Sequence, residues 1–425
     1  MAFLKRKRYM ESLFCAPFLI LSIAMILGFL MAWGIGANDV ANAMGTSVGS
    51  KALTLKQAVI IAAIFEFLGA FLAGGEVTST IRKGIVDPEI YSNDLNIFII
   101  GMMASLLAAG TWLYLASNRG WPVSTTHSIV GAIIGFVLIT KGVDAVSWSK
   151  VGEIASSWIT SPLISGFLAF FIYISAKKLI LQAKDKIDAA IFYIPFYSFF
   201  VAGVIAQVIA RKGLTHIGFS WSDSEVWAFT ALIALSTALV TSFALRMRRA
   251  SIASKGDIES AFGVLMIVTA CAMAFAHGSN DVANAIGPLA AIFSAVNSND
   301  LSSTSAINPL ILLLGGVGIV LGLATLGHKV IKTVGEKITK LTPSLGFSAN
   351  MATASTVVFA SYLGFPISTT HTLIGGVIGV GLANSAKDID WSSVYRIFAS
   401  WVITIPIGAV FTILFYVFLR VLFGV

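Results

Sequence analysis

Long apolar runs follow one another along almost the whole chain, separated by short polar stretches. They lie at about 13–34, 55–74, 95–116, 123–140, 151–176, 187–210, 225–245, 260–279, 308–328, 349–364, 367–385 and 397–424. Most are close to 20 residues long, the length of a helix that crosses a hydrocarbon core about 30 Å thick. Strands of a membrane barrel need only about ten residues. The pattern therefore predicts an all-α integral membrane protein with about 12 transmembrane helices.

Composition and charge agree with this class. The chain is 57% hydrophobic and only 11% charged, whereas about a quarter of the residues of a typical soluble domain are charged. The net charge of +8 comes from Lys and Arg in short loops between apolar runs. Such basic loops orient a membrane protein and do not indicate nucleic-acid binding. We therefore expect a multi-pass protein of the cell (inner) membrane, with the lipid bilayer as a partner and no nucleic acid.

Two polar motifs occur twice. The segment GANDVANAMG at 36–45 returns as GSNDVANAIG at 278–287, with matching residues 242 positions apart. The segment WPVSTTH at 121–127 returns as FPISTTH at 365–371, at an offset of 244. The chain is therefore a duplication in which each half carries one motif of each kind.

The spacing of the repeats predicts their relative orientation. If every apolar run crosses the membrane, an odd number of crossings separates the two halves, which are then inverted relative to each other, as in many secondary transporters. We expect a first inverted repeat at 1–178, linking or scaffold helices at 179–256 and a second inverted repeat at 257–425. Broken or re-entrant helices are expected at the midplane, where protein or a watery cavity must cover their backbone.

The Asn/Asp motif offers hard oxygen ligands. A carboxylate and two amide carbonyls suit Na⁺ and include no soft ligand for zinc or copper, and polar groups at membrane depth are costly enough to indicate function. The predicted Na⁺ ligands are Asn38, Asp39, Asn42, Asn280, Asp281 and Asn284.

The Ser/Thr motif predicts an anion site. A serine that follows a proline is a natural helix N-cap, and free N–H groups, a positive helix dipole and hydroxyls together attract an oxyanion. The predicted anion ligands are Ser124, Thr125, Thr126, Ser368, Thr369 and Thr370, with Asn42 and Asn284 touching both kinds of ligand. Neither motif contains Lys or Arg, so bound cations are needed to balance the anion.

Other ionisable residues leave alternatives open. His127 and His371 follow the threonine pairs, where they could bind the anion, carry a proton or pack against a carbonyl. His277 precedes only the second Asn/Asp motif and is left outside the symmetric site. Glu66 and Glu153 are candidates for accessory cation ligands.

These motifs resemble the inorganic phosphate transporter family, often called PiT, whose signature is a duplicated G-A/S-N-D-V-A-N-A segment matched here at 36–43 and 278–285. The Pro-x-Ser-Thr-Thr-His element is also shared. The resemblance implies a helical inverted-repeat symporter that moves inorganic phosphate with Na⁺ or H⁺, often as a homodimer. It also implies termini outside the cell.

Three functions remain open on the sequence. The first is a secondary active symporter that imports phosphate with Na⁺ by alternating access, without an organic cofactor. The second is an H⁺-coupled phosphate or sulfate symporter, and the third is an uncoupled anion channel or receptor. An enzyme is not expected, because the sequence shows no nucleophile–base pair or hydrolase metal spacing.

Overall fold

The computed structural model describes residues 17–213, 219, 221–298, 307–331 and 340–425, and this part of the chain is almost entirely helical. The α-helices are α1 (Pro17–Asn38), α2 (Val40–Gly49), α3 (Leu55–Ala73), α4 (Gly75–Lys83), α5 (Leu95–Asn118), α6 (Thr125–Thr140), α7 (Trp148–Ala176), α8 (Lys186–Val208), α9 (Asp223–Lys255), α10 (Glu259–Ser298), α11 (Pro309–Gly322), α12 (Pro343–Tyr362), α13 (Thr369–Asn384) and α14 (Trp391–Phe423). Single π-helical turns extend α7, α8 and α11.

The helical membrane class is confirmed, but the count of twelve crossings is not. Within the described residues, nine helices are long and apolar enough to cross a bilayer. The apolar runs at 123–140 and 367–385 form α6 and α13, which have 16 residues each. At 1.5 Å per residue such a helix is about 24 Å long, too short for a full crossing.

Helices α5 and α6 form a hairpin whose two outer ends lie side by side. At its open end the ammonium of Lys141 lies 2.8 Å from the carboxylate of Asp94. Beside this ion pair, the hydroxyls of Tyr91 and Thr140 lie 2.6 Å apart. The start of α5 and the end of α6 are therefore neighbours. Helices α12 and α13 form the equivalent hairpin of the second half.

The tips of the two hairpins share one backbone geometry. Gly120 follows α5 with φ = 65°, and the N–H of Trp121 donates to the carbonyl of Ala116 at 2.9 Å. Gly364 follows α12 with φ = 74°. A left-handed glycine with this reverse hydrogen bond ends a helix and turns the chain. Each tip is thus a sharp turn between two helices of opposite direction.

The first Asn/Asp motif interrupts its helix and the second does not. The first half shows a one-residue irregularity at Asp39, where the N–H of Asn42 donates to the carbonyl of Asp39 at 2.8 Å. In the second half α10 continues through the motif without interruption. The glycines near the motifs serve close helix packing, and irregular backbone lies at Asp39 and at the two hairpin tips.

Helices α8 and α9 pack against each other and have no counterpart motif. They contribute to a second apolar core that includes Ile194, Leu245, Phe262 and Phe347. This core joins the pair to the start of α10 and to α12. The division into repeats at 1–178 and 257–425 with a linking segment stays a prediction.

Glycines let helices of the two halves touch backbone to backbone. A Cβ atom added to Gly322 of α11 would collide with the carbonyl oxygen of Trp33 in α1. A Cβ added to Gly69 of α3 would collide in the same way with the carbonyl oxygen of Phe275 in α10. Small residues at membrane helix interfaces permit this close approach. The two contacts are equivalent in the two halves.

We expect Gly322→Ala to destabilise the protein, because its methyl group forces α1 and α11 apart, at a cost of about 1–3 kcal/mol for overpacking. Gly263→Ala is the matched control in α10, where an added Cβ meets no atom within 4 Å. Thermal unfolding in detergent should show a lower melting temperature for Gly322→Ala only. Equal melting temperatures for both variants would contradict this helix contact.

Candidate functional site

The first hairpin tip is held by an asparagine of the Asn/Asp motif. The side-chain amide of Asn38 donates to the hydroxyl of Ser117 at 3.1 Å and to the carbonyl of Trp121 at 2.9 Å. Its carbonyl oxygen accepts the backbone N–H of Val123 at 3.1 Å. Asn38 therefore bonds the motif to the turn between α5 and α6.

Asn280 holds the second tip in nearly the same way. Its amide donates to the hydroxyl of Ser361 at 3.0 Å and to the carbonyl of Phe365 at 3.1 Å. Its Oδ1 is buried and has no hydrogen-bonding partner in the described part of the chain. Of the two asparagines, Asn280 thus keeps the freer oxygen for a cation.

Asp39 and Asp281 come together at the centre of the molecule. Each is at most 1% exposed, and a carboxylate oxygen of each lies with a nitrogen of His277 in a group whose atoms are within 4.8 Å of one another. The hydroxyl of Thr125 donates to Asp39 Oδ2 at 2.7 Å, and that of Thr369 donates to Asp281 Oδ2 at 2.8 Å. The Oδ1 atoms of both aspartates have no hydrogen-bonding partner among the described residues.

The second asparagine of each motif reaches across to the other half. The amide of Asn42 donates to the hydroxyl of Thr370 at 2.8 Å. The amide of Asn284 lies 3.2 Å from the hydroxyl of Thr125 and 3.3 Å from that of Thr126. The start of α13 is thus bonded to the first motif and the start of α6 to the second. The four motifs form one site between the two halves.

The serines of the Ser/Thr motif cap the hairpin helices, as the sequence analysis predicted. Ser124 Oγ accepts the N–H of His127 at 3.2 Å, and Ser368 Oγ accepts the N–H of His371 at 3.3 Å. Both helices therefore begin at the site with their dipoles pointing positive ends toward it. The serine oxygens are occupied by capping, while the threonine hydroxyls contact the Asn/Asp motifs.

The two motif histidines lie behind the helix starts. Nδ1 of His127 is 3.1 Å from the carbonyl of Trp401, and Nδ1 of His371 is 3.1 Å from the carbonyl of Trp158. The two imidazole rings are 4.5 Å apart. Of the alternatives left open, the structure shows the packing of each ring against a backbone carbonyl.

His277 lies at the site although the sequence analysis left it out. Its Nδ1 is 2.6 Å from the carboxylate of Glu66, and its Nε2 is 2.9 Å from Asp281 Oδ2. His277 and Glu66 are both completely buried. The available signal was the four-residue spacing from His277 to Asp281, which places both on one face of a helix. The partner Glu66 comes from α3 and only the fold brings it near.

The expectation that Glu153 supplies a cation ligand is wrong for this site. Its carboxylate pairs with the ammonium of Lys150 at 2.7 Å on an exposed turn of α7. Glu153 lies at the start of a long span, where water can solvate a charge. The two glutamates of the sequence analysis thus have different surroundings.

The pair of His277 and Glu66 makes the two halves unequal. Ile35 precedes His277 by 242 residues, the repeat offset of the motif. Gly36 of the first motif packs on the carbonyl of Ile319, and the equivalent Gly278 of the second motif packs on the carbonyl of Glu66. Two isoleucines therefore occupy in one half the positions that the ionisable pair occupies in the other. Asp281 contacts this pair directly through His277, whereas the position one turn before Asp39 is an isoleucine.

A further polar cluster continues from the site along α2, and the sequence analysis did not identify it. The hydroxyl of Thr46 donates to Asn350 Oδ1 at 2.5 Å, and Asn350 Nδ2 lies 3.4 Å from the hydroxyl of Ser47. Thr46 follows Asn42 by one helical turn, so it lies on the same face of α2. All three members are buried.

Comparisons with known proteins agree with one another. The sequence profile of the family described as "Phosphate transporter family" matches residues 35–412. A Haemophilus influenzae protein named "Putative phosphate permease" is 48% identical over 95% of this chain and 97% of its own length. "Inorganic phosphate transporter 2-1, chloroplastic" of Arabidopsis thaliana is 42% identical over 95% of this chain and 73% of its own. A solved structure titled "The sodium-dependent phosphate transporter" superposes with a TM-score of 0.86 at 39% identity, covering 95% of this chain and 99% of that one.

We expect Glu66→Gln to destabilise the protein strongly, because it removes one charge of a buried pair and leaves His277 with Asp281 as its remaining carboxylate partner. Breaking such a pair costs about 3–5 kcal/mol, whereas an exposed pair contributes about 0–1 kcal/mol. Glu153→Gln is the matched control at the exposed pair with Lys150. Thermal unfolding of both purified variants should show a clear loss only for Glu66→Gln, and a wild-type melting curve would exclude a paired charge there.

Proposed function

The chain belongs to the phosphate transporter family, and from that premise we propose that it is a secondary active symporter that imports inorganic phosphate together with Na⁺ by alternating access. It is a multi-pass membrane protein, and its relatives are transporters and permeases rather than enzymes. The observation that carries the proposal is the meeting of Asp39 and Asp281 in a buried site to which no Lys or Arg of the described residues contributes a hydrogen bond or ion pair.

Electrostatic repulsion favours a bound cation. Two unit charges at most 4.8 Å apart repel by at least about 3.5 kcal/mol at an effective dielectric constant of 20, and removing each carboxylate from water adds to this cost. His277 contacts Asp281 and also Glu66. The single positive charge of a protonated His277 is therefore shared between two carboxylates. A bound cation offsets the remaining negative charge.

The free oxygens support Na⁺ as that cation. Oδ1 of Asp39, Asp281, Asn280 and Asn284 are buried without a hydrogen-bonding partner in the described part of the chain. Oxygen ligands of this kind suit a hard cation. Each half contributes to the set, so we assign Na⁺ binding to Asn38, Asp39 and Asn42 with Asn280, Asp281 and Asn284.

Phosphate would lie between the starts of α6 and α13. Thr126 and Thr370 lie beside the Asn/Asp motifs of the opposite halves, and their hydroxyls now donate to the carbonyls of Ile367 and Val123. A tetrahedral anion accepts such hydrogen bonds more strongly than a carbonyl does. The remaining contacts would come from Ser124, Thr125, Ser368, Thr369, Asn42 and Asn284 and from the free N–H groups of the helix starts.

Cross-contacts between the halves support alternating access. Asn42 and Asn284 each hold the helix start of the opposite half, so a rotation of one half against the other changes the site itself. Ion and anion binding at this interface would favour one arrangement over the other. A channel or receptor has no need for a site shared in this way. A homodimer stays a prediction from the family resemblance.

Proton coupling is the alternative with an observation in its favour. Glu66, His277 and Asp281 form a connected set of buried ionisable groups on one side of the site. These side chains can bind a proton, whereas the equivalent positions of the other half are the isoleucines Ile35 and Ile319. Sulfate is the alternative substrate, since it shares the tetrahedral shape but carries no proton at neutral pH.

We expect Asp39→Asn to reduce Na⁺-dependent uptake of labelled phosphate into proteoliposomes by roughly two orders of magnitude, because about 3 kcal/mol of ion attraction is lost. Asp281→Asn should behave similarly. Asp94→Asn, at the exposed pair with Lys141, is the matched control and should transport as wild type does. Unchanged Na⁺ dependence in both site variants would remove the aspartates from cation binding.

The same uptake assay separates the alternatives. Accumulation against a phosphate gradient driven by inward Na⁺ supports the symporter, and equilibration without accumulation indicates a channel. Uptake driven by a pH gradient in Na⁺-free buffer would replace Na⁺ with H⁺ as the coupling ion. Competition by sulfate as strong as that by phosphate would change the substrate assignment.

We expect Thr126→Val to raise the KM for phosphate about tenfold, because it removes one hydroxyl donor worth about 1–2 kcal/mol and keeps the size of the side chain. Thr230→Val is the matched control in α9, where the hydroxyl donates to the carbonyl of Val226 in its own helix. The measurement is the concentration dependence of Na⁺-driven uptake. An unchanged KM in Thr126→Val would exclude this hydroxyl from the anion site.

A further inference from the structure

The ends of three neighbouring helices form a strongly basic surface that the proposed transport function does not use. Residues 177–188 connect α7 to α8, and residues 246–254 lie at the end of α9. These two segments, which we call the basic surface, contain only two acidic residues. They hold seven of the chain's 28 Lys and Arg residues, namely Lys177, Lys178, Lys184, Lys186, Arg246, Arg248 and Arg249.

The fold brings the two segments side by side. The guanidinium of Arg249 lies 2.7 Å from the carboxylate of Asp188. In addition, Ile180, Ala190 and Leu245 belong to one buried apolar core. The end of α7, the start of α8 and the end of α9 are therefore neighbours, although the segments are far apart in the sequence. The tendency of basic residues to lie on one side of a membrane does not by itself require this gathering.

Most of the positive charge of the basic surface is not compensated within the protein. Asp185 accepts the N–H groups of Ile187 at 3.1 Å and Asp188 at 3.0 Å as the N-cap of α8, and Asp188 pairs with Arg249. The mutual repulsion of the remaining cations favours the binding of an anion. Five exposed side chains form no ion pair with any described residue: Lys178, Lys184, Lys186, Arg246 and Arg248.

The basic surface lies at the level where α9 leaves the apolar core of the membrane. Helix α9 has 33 residues and is about 50 Å long, whereas the hydrocarbon core is about 30 Å thick. Trp227 and Met247 are 60% and 71% exposed, and they are about 30 Å apart along the helix at 1.5 Å per residue. Because tryptophan is enriched at membrane–water interfaces, Trp227 marks one boundary of the core, and Arg246 and Arg248 lie at the other.

Exposed apolar side chains adjoin the basic surface. Phe192 follows Asp188 by one turn of α8 and is 60% exposed. Phe243 precedes Met247 by one turn of α9 and is 66% exposed. Phe171 of α7 is exposed as well. An amphipathic ligand can therefore place an anionic group among the cations and a hydrocarbon chain against these rings.

Charge and apolar contact together select the occupant. A zwitterionic headgroup carries its own cation, so it gains little from uncompensated Lys and Arg. Inorganic phosphate satisfies the charges but does not cover the rings, and a soluble acidic protein does not reach Phe192 and Phe243 inside the apolar region. An anionic phospholipid does both, because Lys and Arg bind its phosphate oxygens and its acyl chains cover the rings.

We propose that the basic surface binds the headgroup of an anionic phospholipid, whose acyl chains lie along Phe192 and Phe243. The headgroup offsets the repulsion among the cations of α7, α8 and α9 and so stabilises the contact between these three helix ends. The site does not depend on which ion drives transport or on which anion is transported.

The lipid selectivity of the full chain tests the proposal. Native mass spectrometry counts the lipids that the protein retains from micelles with equal amounts of phosphatidylglycerol and phosphatidylcholine of identical acyl chains. We expect preferential retention of phosphatidylglycerol. The preference should fall as the ammonium acetate concentration rises, because salt screens exposed charges. Equal retention of the two lipids would overturn the proposal.

Single-charge variants locate the bound lipid. Lys178→Gln and Arg248→Gln should each reduce the preference for phosphatidylglycerol about five-fold, the contribution of one cation near a membrane surface, whereas Arg248→Lys keeps the charge and should keep most of the preference. Lys150→Gln is the matched control, because it removes one charge at the opposite end of α7, where Lys150 pairs with Glu153. An equal loss in the control, or no loss in both surface variants, would contradict the proposed location.

Photolabelling of the wild-type protein in nanodiscs separates the possible sources of the anion. The probe is phosphatidylglycerol with a diazirine in one acyl chain, and it should label the ends of α7 and α9. Unlabelled phosphatidylglycerol should displace it, and phosphatidylcholine should not. Displacement by inorganic phosphate would indicate a site for a free anion, and labelling spread evenly over the membrane-facing helices would indicate ordinary lipid contact, so either result would overturn the proposal. This test uses no variant and holds even if a substitution prevents folding.

Discussion

Two carboxylates placed close together at membrane depth are the constraint on which the centre of this protein depends. Asp39 and Asp281 lie in one buried group, and their repulsion has to be offset by something other than Lys or Arg of the described residues. The threonine hydroxyls at the helix starts and the positive ends of two helix dipoles offset part of this charge. Cations supply the rest in the proposed function. An anion then becomes favourable in a site without basic side chains, and this is a physical basis for coupling.

The two hairpins bring the starts of α6 and α13 to the depth of the two aspartates. A full crossing helix has its ends at the membrane surface, so it cannot present free N–H groups at the centre of the bilayer. A 16-residue helix that begins at a sharp turn can do so. Asn38 and Asn280 hold the two turns by hydrogen bonds to backbone carbonyls. The same residues that bind the cations in our proposal thus also position the helices that bind the anion.

Symmetry at the site is incomplete. Most hydrogen bonds of the two halves repeat, but Asn38 Oδ1 accepts a backbone N–H and Asn280 Oδ1 has no partner among the described residues. In addition, His277 and Glu66 occupy positions that Ile35 and Ile319 occupy in the other half. The two aspartates are therefore in different electrostatic surroundings. Cations bound near them need not be equivalent, and the order of binding and release can differ between the two positions.

The sequence by itself determined the membrane class, the duplication, and the residue types at the centre, because hydrophobic length and costly polar groups are local properties. It also predicted the N-caps Ser124 and Ser368, which depend on three neighbouring residues. Only the tertiary structure decided that Asp39 meets Asp281, that Glu66 reaches His277 while Glu153 stays at the surface, and that α6 and α13 fold back on the helices before them. The meetings of Asp39 with Asp281 and of Glu66 with His277 depend on contacts between residues more than 200 positions apart, and no local pattern encodes which helix faces meet.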